Sequence, residues 1–183
     1  MLLYLIVQTL YWLALAAWFG GVLFIALAAP VIFRTVRDAN PTLPHVLSVN
    51  LEGQHSSLLA GTVVANLLGL LARVQTVCAT LVFLTLMAQW FVSDVSAPVR
   101  LIAAIVRSAL LSAVIILLVY ERRVLWPRIW MHRQEYIQHA DEPEIANPAK
   151  DEFDRCHRES VTLLSIVLFL LLGLVLFGAL VAR

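Results

Sequence analysis

Residues 2–33 read LLYLIVQTLYWLALAAWFGGVLFIALAAPVIF, a run of 32 residues without Asp, Glu, Lys or Arg. As an α-helix this run would rise about 48 Å, more than the roughly 30 Å of a bilayer's hydrocarbon core. The helix must therefore tilt, bend or project from the membrane. Pro30 lacks a backbone N–H, which favours a bend or the beginning of the membrane exit. Arg34 and Arg37 follow and mark the interface.

The whole chain has the composition of a membrane protein. Its 183 residues are 61% hydrophobic and 14% charged, whereas a soluble domain is nearer half apolar and a quarter charged. Lipid offers the backbone no hydrogen-bond partners, so uncharged runs of about 20 residues predict membrane-spanning helices. The expected surroundings are a lipid bilayer. With a net charge of +1, the chain lacks the basic stripe that nucleic-acid binding requires.

Three further apolar runs predict the remaining spans, at about 74–93, 101–120 and 160–182. Residues 58–72 are also uncharged but too short to span, and neither Gly nor Pro separates them from the second span. They therefore predict a packed helix that continues into it. With a first span at about 3–33, the expected fold is all-α, an integral membrane four-helix bundle forming a single domain over 1–183.

The positive charges predict the orientation. Translocation across the membrane disfavours Lys and Arg in short loops, and ten of the 13 basic residues lie in or beside residues 34–57 and 121–159. We therefore predict that both segments are cytoplasmic loops, with long helices projecting on that side and both termini outside. A bacterial cytoplasmic membrane is the expected location. Within the second loop, residues 139–152 are acidic and contain Pro143 and Pro148, which predicts a solvated loop.

Small residues at spacing four predict close helix packing in lipid. The predicted helix-packing residues are Gly20, Gly21, Gly61, Ala65, Gly69, Ala104, Ser108 and Ser112. Ala16 and Ala17 extend the first pair by one turn.

Polar side chains within the spans are candidates for a pathway or for contacts between helices, because lipid turns such groups inward. Gln75 and Gln89 are 14 residues apart, close to four turns, so both amides are expected near one face. We favour hydrogen bonds to another helix over a polar pathway. Arg107 is expected to snorkel toward headgroups or Asp94.

The chain contains no motif of a known catalytic site, and its predicted spans contain no carboxylate. Tyr4, Tyr11 and Trp18 recur every seven residues, which favours an aromatic packing face over a pigment or quinone site. All five histidines lie in or beside the predicted loops.

Two cofactor hypotheses depend on these histidines. His55 and His157 lie close to helix starts and are the candidate pair of axial haem ligands. The adjacent Cys156 and His157 are a candidate for a soft metal such as copper(I), although two neighbours cannot complete a site alone. The alternative is that the histidines are interfacial, and the expected state is a protein without a cofactor.

Four short motifs resemble a known family: WFGG at 18–21, APVIFR at 29–34, WPR at 126–128 and FDRCHRES at 153–160. In this order they resemble the transmembrane protein 205-like family, a four-helix membrane group of unknown function. The resemblance implies signature residues at Gly20, Gly21, Pro30, Phe33, Phe153, His157 and Ser160. Physically, Ser160 is also expected to cap the last helix.

The family is similar, more distantly, to copper-resistance D-type membrane proteins and membrane protoporphyrinogen oxidases, some of which handle copper or haem. A first-helix histidine of the haem enzymes is missing, because residues 1–37 contain no histidine. The sequence therefore favours a non-enzymatic accessory or structural subunit that binds other membrane helices or a second copy. Transport of a metal or small solute and haem-dependent redox chemistry are the alternatives.

Overall fold

The computed structural model describes residues 2–41, 54–92 and 98–181, and these residues form helices without any strand. The helices are α1 (Leu2–Ala39), α2 (His55–Val92), α3 (Pro98–Tyr120), α4 (Trp126–Gln138) and α5 (Pro143–Val181). A π-helical segment, Glu121–Leu125, joins α3 to α4 without a break.

Four helices in the described residues are long and apolar enough to cross a bilayer, which confirms the all-α four-helix membrane fold. They cover Leu2–Ala39, His55–Phe91, Pro98–Gln138 and Pro143–Ala179, or 37 to 41 residues each. At 1.5 Å per residue each helix exceeds 50 Å, roughly, against a hydrocarbon core of about 30 Å. Between 22% and 28% of their most apolar windows is buried within the protein, so most of each window faces outward.

The first two helices run without interruption. Pro30 lies inside α1, which continues to Ala39. Asn40 then adopts a left-handed φ of 42°, and its N–H donates to the Arg37 carbonyl oxygen at 3.1 Å, as at a helix C-terminus closed by Gly or Asn. Residues 58–72 and 74–92 belong to the single helix α2.

The prediction of a solvated loop over 139–152 is wrong for most of that segment, because α5 begins at Pro143. Proline is tolerated in the first helical turn, where its missing N–H has no partner to lose. Ala146 and Ala149 are strong helix formers, and both are buried. The two prolines therefore lie within a helix that packing stabilises.

The π-helical segment has a local cause in Pro127. Proline cannot donate to the carbonyl four residues earlier, and its ring clashes with that carbonyl. The helix widens just before it, so that the Trp126 N–H donates to the Glu121 carbonyl oxygen. Such widened turns often occur at functional sites.

The chain forms two compact units. The first unit comprises Met1–Phe24, Leu70–Leu118 and Leu164–Arg183, and the second comprises Ile25–Gly69 and Val119–Leu163. Large side chains fill the core of the first unit: Tyr11, Leu15, Trp18, Val22, Val82, Leu86, Leu111, Val114, Leu171 and Leu174. Smaller residues are prominent among the buried side chains of the second: Ala60, Val64, Leu125, Ala140, Ala146, Ala149 and Cys156.

Candidate functional site

The most unusual group in the first unit is Arg107 of α3, a cation within an apolar span. Its side chain is 1% exposed, so it does not extend to headgroups as predicted. Its Nη2 donates to Oε1 of Gln89 at 2.9 Å. Its Cζ lies 4.4 Å from the centroid of the Tyr11 ring, within the range of a cation–π contact.

The same contacts continue to two more helices. Nε2 of Gln89 donates to Oε1 of Gln8 at 3.0 Å, which links α2 to α1. The Tyr11 hydroxyl donates to the Leu174 carbonyl oxygen of α5 at 3.3 Å. We call Gln8, Tyr11, Gln89 and Arg107 the arginine cluster, and it connects all four helices that contribute to the first unit.

The arginine cluster carries a positive charge that its described contacts do not neutralise. The ion pairs found among the described residues involve Arg34, Arg155, His132 and His139, and none involves Arg107. Asp94, the predicted partner, lies outside the described residues. Burying an unneutralised charge away from water is costly, so the cluster is the leading candidate for a functional site.

The polar face predicted on α2 is directed inward at both ends. Gln75 and Gln89 are both buried, at 4% and 5% exposed. Gln89 makes the interhelical contacts that the sequence analysis favoured, whereas Nε2 of Gln75 has no hydrogen-bond partner among the described residues. Thr80 and Thr85 instead donate to carbonyl oxygens of their own helix.

The aromatic face of α1 packs within the protein. Tyr11 and Trp18 are both fully buried, and Tyr11 lies edge-on to Trp12 with ring centroids 5.5 Å apart. These rings therefore act as core residues.

The second unit contains a separate pair of polar contacts around the π-helical segment. The Tyr120 hydroxyl donates to Glu159 at 2.7 Å, and the Ser160 hydroxyl donates to Glu121 at 3.3 Å. The prediction that Ser160 caps a helix is wrong, because α5 begins 17 residues earlier, at Pro143. Ser160 instead joins α5 to the π-helical segment.

The predicted cofactor residues belong to the second unit but face different surroundings. Cys156 is buried and His157 is exposed, because consecutive helical side chains point about 100° apart. The His157 ring stacks on Phe153, with centroids 6.0 Å apart. His55 is the first residue of α2. Among the described residues, no three His, Cys, Asp or Glu side chains are grouped to hold a metal.

The predicted small-residue contacts divide into two groups. A Cβ at Gly21 would lie 3.1 Å from Leu71, and one at Gly69 would lie 3.5 Å from Trp126. A Cβ at Gly20 or Gly61 would meet nothing within 4 Å.

The remaining small residues lie on α2 and α3. Ala65 is half-buried and Ala104 is buried. The Ser108 and Ser112 hydroxyls donate to carbonyl oxygens of α3 itself, so their polar groups do not bridge to another helix.

Pro30 and Phe33, two of the resemblance's signature residues, are exposed on α1.

Sequence reasoning missed several residues of these sites. Gln8 was overlooked because no local pattern pairs residues that are 81 positions apart. Arg107 lies three residues beyond Ala104, on a predicted packing face, and that spacing is the signal for its burial. Gly173 and Gly178 pack against Leu110 and against Trp12, where a Cβ would lie 3.1 Å from the neighbouring atom in each case.

No protein-family model, curated protein or solved structure matches this chain.

Proposed function

We propose that this multi-pass membrane protein is a non-enzymatic accessory or structural subunit that binds a helix of another membrane protein. The single supporting observation is the surface of α1 around Gly20. A Cβ at Gly20 would meet nothing within 4 Å, and Ala16, one turn earlier, is exposed. Small residues at this spacing allow two helix backbones to approach closely in lipid.

Large apolar side chains flank this gap. Leu13 is 63% exposed and Phe24 is 64% exposed, and both follow the helical spacing that places them beside Ala16 and Gly20. We call Leu13, Ala16, Gly20 and Phe24 the α1 face. A partner helix on this face would gain van der Waals contacts that lipid chains make less well at a glycine, and these contacts are a main source of helix association in membranes.

A metal-transport role receives less support from the geometry. The polar pathway considered on α2 would lead a cation past Gln89, whose amide oxygen accepts from the Arg107 guanidinium. The fixed positive charge repels a metal ion strongly where the dielectric constant is low.

The test of the accessory role is native purification in a mild detergent, comparing wild type with Gly20→Leu. We expect a membrane protein in stoichiometric amount with the wild type and its loss from Gly20→Leu. The variant should still fold, since its Cβ meets no neighbour. Thr80→Leu adds bulk at an exposed position of α2 and should retain the partner. A wild-type monomer, or an assembly of this chain alone, would contradict the proposal.

The proposal extends to location and family. Ten basic residues on one side support cytoplasmic loops, external termini and a bacterial cytoplasmic membrane. The four motifs quoted above support membership of the transmembrane protein 205-like family.

A further inference from the structure

The arginine cluster has more hydrogen-bond donors than acceptors. A guanidinium carries five N–H groups and no acceptor. The Nε of Arg107 and the Nε2 of Gln8 are buried, and neither has an acceptor among the described residues. Both side chains hydrogen-bond to the Gln89 amide, so these two donors lie on either side of one small group.

Charge and donor excess require the same kind of ligand. Water could accept from the two donors, but it cannot neutralise the guanidinium. The contacts that Arg107 makes are to a neutral amide and an aromatic ring. An anion would satisfy the N–H groups and neutralise the charge, and hydrogen bonds between charged groups are the stronger ones.

The packing around the cluster limits the size of this anion. A Cβ added at Gly178 would lie 3.3 Å from the Tyr11 hydroxyl and 3.1 Å from Trp12. A Cβ added at Gly173 would lie 3.1 Å from Leu110. Arg107 itself is 1% exposed. Such dense surroundings favour a chloride-sized ion over a phospholipid headgroup.

We infer that the arginine cluster is a binding site for one small monovalent anion of the size of chloride. Arg107 supplies the counter-charge and an N–H donor, and Gln8 supplies a second donor. Gln89 holds both side chains in place, and the Tyr11 ring supports the guanidinium from its other side. The site does not depend on the α1 face, so the accessory role and the anion site succeed or fail separately.

The experiment is a thermal unfolding titration of the purified protein in an uncharged detergent, followed by circular dichroism. Chloride replaces gluconate, a much larger anion, at constant ionic strength. Because a ligand that binds the folded state stabilises it, we expect the unfolding midpoint of the wild type to rise saturably by several degrees. An unchanged midpoint in the wild type would overturn the inference.

Variants separate the site from a general salt effect. Arg107→Gln should lose the rise, and Gln8→Leu should weaken chloride binding about tenfold or more, because a hydrogen bond to a charged group is lost. The second variant keeps the charge and so remains informative if Arg107→Gln does not fold. Arg73→Gln removes an exposed arginine and should respond as the wild type does. An equal response in Gln8→Leu and the wild type would overturn the inference.

Two other sources of negative charge give distinct results. If Asp94 neutralises Arg107, the wild type will ignore chloride and Asp94→Asn will become sensitive to it. If a lipid phosphate occupies the cluster, phosphatidylglycerol will stabilise the wild type and chloride will not. Either result would overturn the inference.

Discussion

The Nη2 atom of Arg107 donates to Oε1 of Gln89 across 2.9 Å, which joins α3 to α2 inside the apolar part of the first unit. Gln89 passes the interaction on to Gln8 through its own amide N–H. One neutral side chain therefore positions a buried cation and a second amide from a different helix. The polar interior of the first unit depends on this residue more than on any other amide of α2.

Gln89→Leu should destabilise the protein far more than Gln75→Leu. The first change leaves donors on Arg107 without their acceptor, and an unsatisfied buried group costs about 1–3 kcal/mol, with charged groups at the upper end or above. The second removes an amide whose Nε2 is already unpaired among the described residues, so we expect little loss or a small gain. Unfolding by SDS in mixed micelles measures both changes, and equal losses would contradict the assigned network.

Gly178→Ala should destabilise the first unit, whereas Gly20→Ala should not. The new methyl at Gly178 would lie 3.1 Å from Trp12 and 3.3 Å from Tyr11, and overpacking of this kind costs about 1–3 kcal/mol. At Gly20 the methyl meets nothing within 4 Å, and alanine is the better helix former. The same unfolding assay compares the two variants. A loss at Gly20 as large as that at Gly178 would contradict the packing described.

The fold could be predicted because long uncharged runs report directly on the solvent that surrounds them. The arginine cluster could be predicted only in part. The spacing of Gln75 and Gln89 indicated one inward face, but apolar residues surround Arg107 on every side of α3, so no periodicity distinguished burial from snorkelling. The helix from Pro143 was missed because proline was interpreted as a breaker where a first turn tolerates it.

Burial should decide the strength of the two contacts around the π-helical segment. Ser160 and Glu121 form a partly buried pair, whereas Tyr120 and Glu159 form an exposed pair. Double-mutant cycles with Ser160→Ala and Glu121→Gln, and with Tyr120→Phe and Glu159→Gln, measure each coupling energy. We expect about 1 kcal/mol or more for the first pair and less for the second, since water competes with exposed contacts. The reverse order would show that hydrogen-bond distance outweighs burial here.

Arg133→Lys should loosen α4 from α2. The Arg133 Nη2 donates to the Leu58 carbonyl oxygen at 3.2 Å and to the Thr62 hydroxyl at 2.7 Å. A lysine ammonium lacks the planar fork that is positioned for both acceptors. We expect faster amide hydrogen exchange across Trp126–Gln138 in this variant. Arg123→Lys, at an exposed arginine, should leave that exchange unchanged, and equal acceleration in both variants would contradict the anchoring role.

Cysteine labelling should place Asn40 and Gln138 on the cytoplasmic side and Val99 on the other. Cys78 and Cys156 are both buried and are replaced by alanine to give a background without thiols. Single cysteines at the three exposed positions are then exposed to an impermeant maleimide in intact bacterial cells and in inverted vesicles. Because the positive-inside rule assigns both basic loops to the cytoplasm, Asn40→Cys and Gln138→Cys should react in the vesicles, and Val99→Cys in the cells. Reaction of Asn40→Cys and Gln138→Cys from opposite sides would contradict the predicted arrangement of the spans.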